Sequence, residues 1–531
     1  FRSSDPDKAG AAEEAIREAL ADYSRHGFSA DELEKARRFA AVSEVHARQT
    51  ASGLAARQGL LAAMVGDLQY PEQFFRRIHA LSAEGLGDLA RKTFREDHLT
   101  ISSLGPDSRP SSSPSPVRSA LPAFSETTLS NGARLLWQRD DRLPRTYLRY
   151  SGLGGCLYEA PRHRGATSLM ATLLARDTRR RSAREVAEAL EGNGGFLMDA
   201  SGNNSFSLAV EVMPERILQG LDTLREALLE PGFREETLIR EREAQLAHLH
   251  TLHDEILDHG RLVLRERFYG HHPFGSDPAG NLESCARLDR ASISDLYQRL
   301  VVAPNTVFAV TGDFDPDDLI PRIEAFMTEL PPTPFAVEGP PFDAPAATGH
   351  HRETMDREQA VVLEAYPDVG ITAETEIMGQ VLDEILSDMS GPLFRSVREE
   401  QSLAYFVGAA RLLAREHGIF YLYAGTHPSS ADRVYDSFTI ELDRIRSGRL
   451  EPGELESART RLIVQNRFAL QSPSTRAARA ALNVLYGKPA MDWIHYEERL
   501  KSVTIDDLAT FASRQLDPAR SLRLTTGPEF D

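Results

Sequence analysis

The stretch GATSLMATLLARDT (165–178) decides how the middle of this chain is read. After its Gly-Ala opening, Ser168, Ala171 and Thr172 stand at i, i+3 and i+4, the spacing that puts three side chains on one helical face. Such a face can hold a site, yet these residues are small and none carries a titratable group. The surrounding sequence supplies the fold class. Upstream, TTLSNGARLLW (127–137) sets an Asn-Gly turn between apolar flanks, a hairpin signal. Downstream, SAREVAEALEG (182–192) has a Ser-x-x-Glu capping box and a terminal Gly, which predict a helix. SFSLAVEV (205–212) alternates apolar residues at Phe206, Leu208, Val210 and Val212, the mark of a half-buried strand. Ile217, Leu221, Leu224 and Leu228 form a helical stripe ending before Pro231, and TVFAVTGDF (306–314) reads as a short buried strand. Strands and helices mix without strict alternation, so the expected class is a layered α+β unit.

With 531 residues the chain can bury several such cores. Its 61 Lys+Arg against 79 Asp+Glu give a formal charge of −18, which repels phosphate backbones and argues against a nucleic-acid partner. Cys156 and Cys285 have no CxxC companions, so neither a disulfide framework nor a thiolate zinc site is expected. A phosphate loop, a dinucleotide fingerprint and a nucleophile elbow are all absent from the sequence, which leaves a small-molecule enzyme without support. No apolar run approaches the ~20 residues of a membrane span. The chain opens at Phe1 with neither an initiator Met nor a signal-like region, and the expectation is that its natural start lies upstream.

Two Pro/Ser/Ala-rich stretches, RPSSSPSPVRSALP (109–122) and PPTPFAVEGPPFDAPAAT (331–348), favour extended linkers. Residues 1–108 ahead of them are helical by pattern, with Asp5, Ser29 and Ser82 placed as caps. An internal repeat orders the whole. SADELEKAR (29–37) shares five positions with EPGELESAR (451–459), and ISSLGP (101–106) matches RLTTGP (523–528), both at an offset of 422. Asp5-Pro6 and His427-Pro428, and Leu86 and Leu508, sit at the same offset. The second copy follows a strand-rich segment, 349–423, with AVVLEAY (360–366), YFVGAARL (405–412) and GIFYLYAG (418–425), against which its helices can bury their apolar faces. The first copy has no such sheet before it. The expected organisation is therefore a truncated helical unit (1–108) that needs a partner segment, a linker (109–123), an α+β unit (124–335), a second linker (336–348) and a final α+β unit (349–531).

In order along the chain, LSNG (129–132), GGCLYE (154–159) and GATSLMATLLARDT resemble the pitrilysin/insulinase-type zinc metallopeptidases, whose signature is the inverted motif H-x-x-E-H. The resemblance covers essentially the whole chain. It implies repeated two-layer α/β modules of the mitochondrial-processing-peptidase and LuxS-like metallohydrolase type, four to a protein, paired as two halves of a clamshell. This chain then corresponds to the end of domain two and to domains three and four. In that register the two zinc-binding histidines fall on Ser168 and Thr172, the general-base Glu falls on Ala171, and the third ligand falls on His248 in EREAQLAH (241–248). A catalytic zinc needs about three His or carboxylate donors and a base for its water. Ser, Ala and Thr supply neither, so the resemblance implies a non-catalytic copy without metal. Zinc would belong to a missing N-terminal half, in the same polypeptide or a separate chain.

The segment SGPLFRSVREEQSLAYFVG (390–408) resembles the family pattern L-F-x-x-L-R-x-x-x-x-L-x-Y. What this implies is that Arg398 and Tyr405 reach peptide substrate at the zinc site of the first domain, where a guanidinium and a phenol can both donate to a developing oxyanion. A second cluster, HLHTLHDEILDH (248–259), has His250 and His253 one turn apart, but its order is HxxHDE and it reads as a polar helix face. His271 and His272 in YGHHPFG fall on a structural turn of the family. The expected function is the non-catalytic C-terminal portion of a zinc-dependent endopeptidase that degrades peptides in a closed chamber. The alternative is a pseudo-peptidase scaffold or inactive partner subunit. A soluble protein of the bacterial cytoplasm or periplasm is the expectation for its location.

Overall fold

Two mixed sheets organise residues 123–529. The computed structural model describes residues 8–34, 36–37, 40, 51–95, 97, 99, 123–192, 194–336, 339–357, 359–388, 391–401 and 403–529. The first sheet comprises β1 (Ser125–Thr128), β2 (Arg134–Arg139), β3 (Thr146–Leu153), β4 (Phe196–Ser201), β5 (Ser205–Val212) and β6 (Val307–Gly312), in the order β1-β2-β6-β3-β5-β4. The second comprises β7 (Gly349–Thr354), β8 (Ala360–Val369), β9 (Ala404–Leu413), β10 (His417–Thr426) and β11 (Leu522–Gly527), in the order β7-β11-β8-β10-β9. In each, the last strand of the unit inserts beside the first long one, with the parallel pairs β2–β6 and β7–β11 and antiparallel pairing elsewhere. The two units are one module used twice.

The helices follow their capping and apolar spacing. In the argument below, α1 is Lys8–His26, α2 Ala51–Met64, α3 Tyr70–Ala80, α4 Ala83–Thr93, α5 Ala166–Leu174, α6 Glu235–Asp254, α7 Ile256–Tyr269, α8 Ala431–Arg446, α9 Pro452–Ala469, α10 Pro473–Leu485 and α11 Ile505–Gln515. The predicted Ser182 capping box is present ahead of the helix Ala183–Glu191. One face of the first sheet is covered by α5 and the helix Ile217–Leu229, with Leu169, Leu173, Leu208, Val210 and Leu224 in one buried cluster. One face of the second is covered by α8 and α11, with Val362, Phe420, Leu422, Phe438 and Leu508 in another.

The other face of each sheet is covered from the opposite unit. From the second unit, α10 lies on β3 and β6 of the first sheet, and from the first unit α7 lies on β8 and β11 of the second. Ala477, Ala480 and Ala481 are fully buried against Leu136, Tyr147, Val307 and Ala309, their small side chains allowing the helix to approach closely. Leu264 and Phe268 pack in turn on Leu363, Ala365, Leu522 and Leu524. This corrects the reading of 205–212 as half-buried: Ser207, Ala209 and Glu211 are buried as well as the alternating apolar set, because a helix from residues 473–485 closes the second face.

Aromatic side chains fill the seam beside α7. Tyr269, His272, Phe274 and Phe342 surround His417 of β10, whose ring lies 5.0 Å from that of His272 and whose Nδ1 is 3.1 Å from the Tyr269 hydroxyl. Burial, and then the neighbouring His272, push His417 from its ordinary 6.5 down to about 4. The unfolded chain therefore binds the extra proton first, so this contribution is present above pH 6.5 and is lost as pH falls toward 4. Urea midpoints across that window should reveal a loss on the order of 2 kcal/mol, allowing for partial solvent screening. His417→Gln should flatten the profile there.

The repeat at offset 422 holds as structure. Helix α4 begins at Ala83 and ends at Thr93, and α11 begins at Ile505 and ends at Gln515, the same offset at both ends. Their N-caps, Ser82 and Thr504, each accept a backbone N–H. Arg37 donates to the carbonyls of Ile78 and Leu81, and Arg459, its counterpart, donates to those of Leu500 and Val503. Ser29 and Glu32 close the reciprocal cap that Glu451 and Glu454 close in the second copy. Asp5, the 101–106 match and residues 109–122 of the first linker lie outside the described residues.

Candidate functional site

The face around Ser168, Ala171 and Thr172 is built on a buried acid. Glu159 accepts from the backbone N–H groups of Gly165 at 2.9 Å and Thr167 at 2.7 Å, so its carboxylate caps the N-terminus of α5. Burial pushes its carboxyl up, against the bonds from Thr167 and Gly165. The chain enters the helix through Gly165 at φ 89°, where a Cβ would meet the Ala279 carbonyl at 2.3 Å, so glycine is required. Glu159→Ala leaves two buried N–H groups unsatisfied and should cost about 3 kcal/mol, read as a lower denaturation midpoint. Glu159→Gln, which keeps an acceptor, should cost less than half of that.

On α5 itself, Ala171 is fully buried, and Ser168 and Thr172 are half-buried. Thr172 donates to Asp199 of β4 at 2.9 Å. Arg176 lies 3.8 Å from Asp199 and 3.1 Å from Glu241 of α6, and Arg240 lies 2.8 Å from Glu241. Burial raises the Glu241 carboxyl, but bonds from Arg240 and Arg176 more than offset it and hold the group below the ordinary range. Helix α6 also touches the start of α5 through Gln245, which donates to the carbonyls of Gly165 and Ala279. His248 is exposed on α6, one turn past Gln245. Hydroxyl, methyl and hydroxyl at 168, 171 and 172 do not fit a catalytic zinc, and the nearby carboxylate Glu241 is neutralised by guanidiniums. Among the described residues no group of three or more His, Cys, Asp or Glu could hold a metal ion. In the histidine run, His253 Nδ1 lies 3.3 Å from His259 Nδ1 across the break between α6 and α7, and His250 is exposed.

The segment carrying Arg398 and Tyr405 has a different character. Pro392–Phe394 is a short helical turn that continues as the π-helical Arg395–Glu400, closed by the Gln401 N–H on the Ser396 carbonyl. Leu393, Val397 and Leu403 are buried and anchor it to the second core. Arg398 is exposed between these anchors, its guanidinium carbon 5.1 Å from the centre of the Phe394 ring. Tyr405 is 55% exposed on β9, an edge strand. Along the β9–β10 ladder Gly425 pairs with Phe406 and Thr426 with Ala404, so Tyr405 is the extra residue of a β-bulge. A bulge of this kind re-aims one side chain while the strand continues. Sequence reasoning placed Tyr405 on a strand and did not find the bulge. Its signal is Gly425, where a Cβ would meet the Phe406 ring at 2.4 Å. It also missed Asp199, which no local motif marks, and the ion pairs of Glu241, although that residue opens the run EREAQLAH.

Comparison with known proteins bears on both regions. The family model described as insulinase (peptidase family M16) matches residues 153–277, and the model described as the peptidase M16 inactive domain matches residues 287–462. An uncharacterized zinc protease of Bacillus subtilis is 23% identical over 365 residues, covering 68% of this chain and 88% of that protein. An uncharacterized zinc protease of Streptomyces coelicolor is 25% identical over 419 residues, covering 76% of this chain and 90% of that protein. Among solved structures, a peptidase M16 inactive domain from Pseudomonas fluorescens is similar with a TM-score of 0.70 at 18% identity, covering 77% of this chain and 98% of that one. A protease from Helicobacter pylori is similar with a TM-score of 0.71 at 15% identity, covering 77% and 100%. These structures share the α+β fold of the two units described above.

Proposed function

The chain belongs to the insulinase (M16) family of peptidases, and from that premise we propose that it closes the peptide chamber of a zinc-dependent endopeptidase and supplies substrate contacts through Arg398 and Tyr405. It is a non-catalytic part of such a protein, since the positions of the zinc ligands and the base hold Ser168, Thr172, His248 and Ala171. In the whole peptidase, a zinc and its base held by an N-terminal half, in the same polypeptide or in a partner chain, would supply Lewis-acid activation of the scissile carbonyl and of water. The unit boundaries of the proposal are 1–108, 124–335 and 349–531, with linkers at 109–123 and 336–348.

The observation that carries this reading is the bulged, exposed Tyr405 seven residues after the exposed Arg398. An apolar-bodied phenol left at the surface by a strand irregularity is a poor contributor to stability and a well-placed hydrogen-bond donor. The Tyr405 O–H and the Arg398 guanidinium would each donate to the peptide carbonyl oxygen as it gains charge, while the walls of the closed chamber keep folded proteins out. Small peptides are the substrate class that fits such a chamber.

The test pairs zinc analysis with a quenched-peptide assay. The chain alone should hold substoichiometric zinc and show no cleavage above the blank. Joined to an N-terminal half that carries H-x-x-E-H, it should yield cleavage that a chelator stops. Chelator-sensitive cleavage by the chain alone would sink the proposal, and a natural N-terminal half without the motif would establish the scaffold reading in its place.

A further inference from the structure

The bulge that carries Tyr405 is fastened by a buried hydroxyl. On the β9–β10 ladder Gly425 faces Phe406 and Thr426 faces Ala404, so residue 405 has no ladder partner of its own. Continued without the irregularity, the ladder would set Tyr405 opposite Thr426. The alternation of a strand would then turn its ring onto the face where Leu422 and Ala424 join the second core, since Phe406 lies on the other face with Tyr421 and Tyr423. Small Ala404 is buried in that core instead, and the phenol stays at the surface.

Two hydrogen bonds meet at buried Leu403, two residues before the phenol. The fully buried Thr426 hydroxyl donates to the Leu403 carbonyl, and the Leu403 N–H donates to the Val397 carbonyl at 2.8 Å. Val397 belongs to the π-helical turn Arg395–Glu400, which also carries Arg398. A bulge takes backbone groups out of register, and the Thr426 hydroxyl gives the carbonyl ahead of this one a fixed donor. Through Leu403 the same hydroxyl is linked to the turn that bears Arg398.

We propose that Thr426 is a positioning residue. Fully buried, it touches no substrate; its hydroxyl holds residues 403–405 in the bulged form and so fixes where the Tyr405 phenol stands. The role in peptide cleavage rests on the reading of Tyr405 as a substrate contact, whereas the fastening of the bulge does not. Valine matches threonine in shape and suits a strand equally well, so Thr426→Val removes the hydroxyl and little else.

Amide exchange on the full chain tests the fastening. In Thr426→Val, peptides covering 403–407 should exchange at least ~10-fold faster while 419–423 stay unchanged, and Thr426→Ser should exchange as the parent does. Thr426→Ala serves in place of Val should that variant not fold. In the assembled peptidase, Thr426→Val should lower kcat about 10-fold with KM within about twofold, because a displaced donor is missed in the transition state more than in binding. Thr426→Ser should restore kcat, and in a Tyr405→Phe background Thr426→Val should cost nothing more. Unchanged exchange at 403–407 would overturn the proposal. So would full kcat in Thr426→Val where Tyr405→Phe is impaired, or a loss that persists undiminished in the Tyr405→Phe background, which makes Thr426 structural only. Full kcat in Tyr405→Phe itself would sink the reading of the phenol on which the role rests, while faster exchange would still establish the fastening.

Discussion

Tyr405→Phe in the assembled peptidase is expected to lower kcat/KM about 100-fold, mostly through kcat, with the thermal midpoint unchanged. Removing a single oxyanion donor typically costs 10²–10³ in kcat, because the bond is made to charge that appears only in the transition state. The stability half of the expectation follows from position: a side chain 55% exposed on a bulged edge strand contributes little to the core, and Phe keeps its ring. Arg398→Ala should have an effect of similar size. Arg398→Lys should recover only part of it, since an ammonium lacks the planar fork that lies over Phe394. Steady-state rates on a quenched peptide, with urea midpoints alongside, decide the matter. Unchanged kcat/KM in both variants would remove the assigned roles, and loss of activity that tracks loss of stability would reduce them to structural ones.

The second large effect is expected at Arg476, which should cost about 3–5 kcal/mol when replaced by Ala. Its side chain is fully buried on α10 and pairs with Asp140 of the opposite unit. It also donates to Gln138 at 2.7 Å and to the carbonyls of Leu470 and Gln471. Burial raises the Asp140 carboxyl, but Arg142 and Arg476 more than offset it and hold the group below the usual carboxylate range. Truncating Arg476 takes one of the two guanidiniums from buried Asp140, and breaking a buried pair on one side costs far more than the pair itself contributes. Since α10 is the helix that the second unit lends to the first sheet, the loss should appear as weaker coupling between units. Chemical denaturation would report it as an earlier first transition or a broadened one. Arg476→Met combined with Asp140→Asn should restore at least half of the lost stability, by removing the orphaned charge.

Local pattern made most of the elements legible. The Asn-Gly hairpin, the Ser182 capping box and the strands at 205–212, 306–314 and 360–366 rest on residues within about ten positions of one another, where turn chemistry and periodicity act directly, and the repeat at offset 422 rests on matching short segments. That Ser168, Ala171 and Thr172 bring neither an imidazole nor a carboxylate to their helix face is read directly from the sequence. Tertiary structure decided what separation in sequence conceals. Covering both faces of each sheet joins β3 and β6 to α10, and β8 and β11 to α7, across more than 90 residues. The Thr172–Asp199–Arg176–Glu241 network gathers three elements around the face of α5 that carries Thr172, and the bulge at Tyr405 exists only in the register of β9 against β10. Composition and periodicity set which face of an element is apolar. Which partner covers that face, and which side chain a strand irregularity turns outward, are settled by long-range packing and ladder register, and those are properties of the assembled chain.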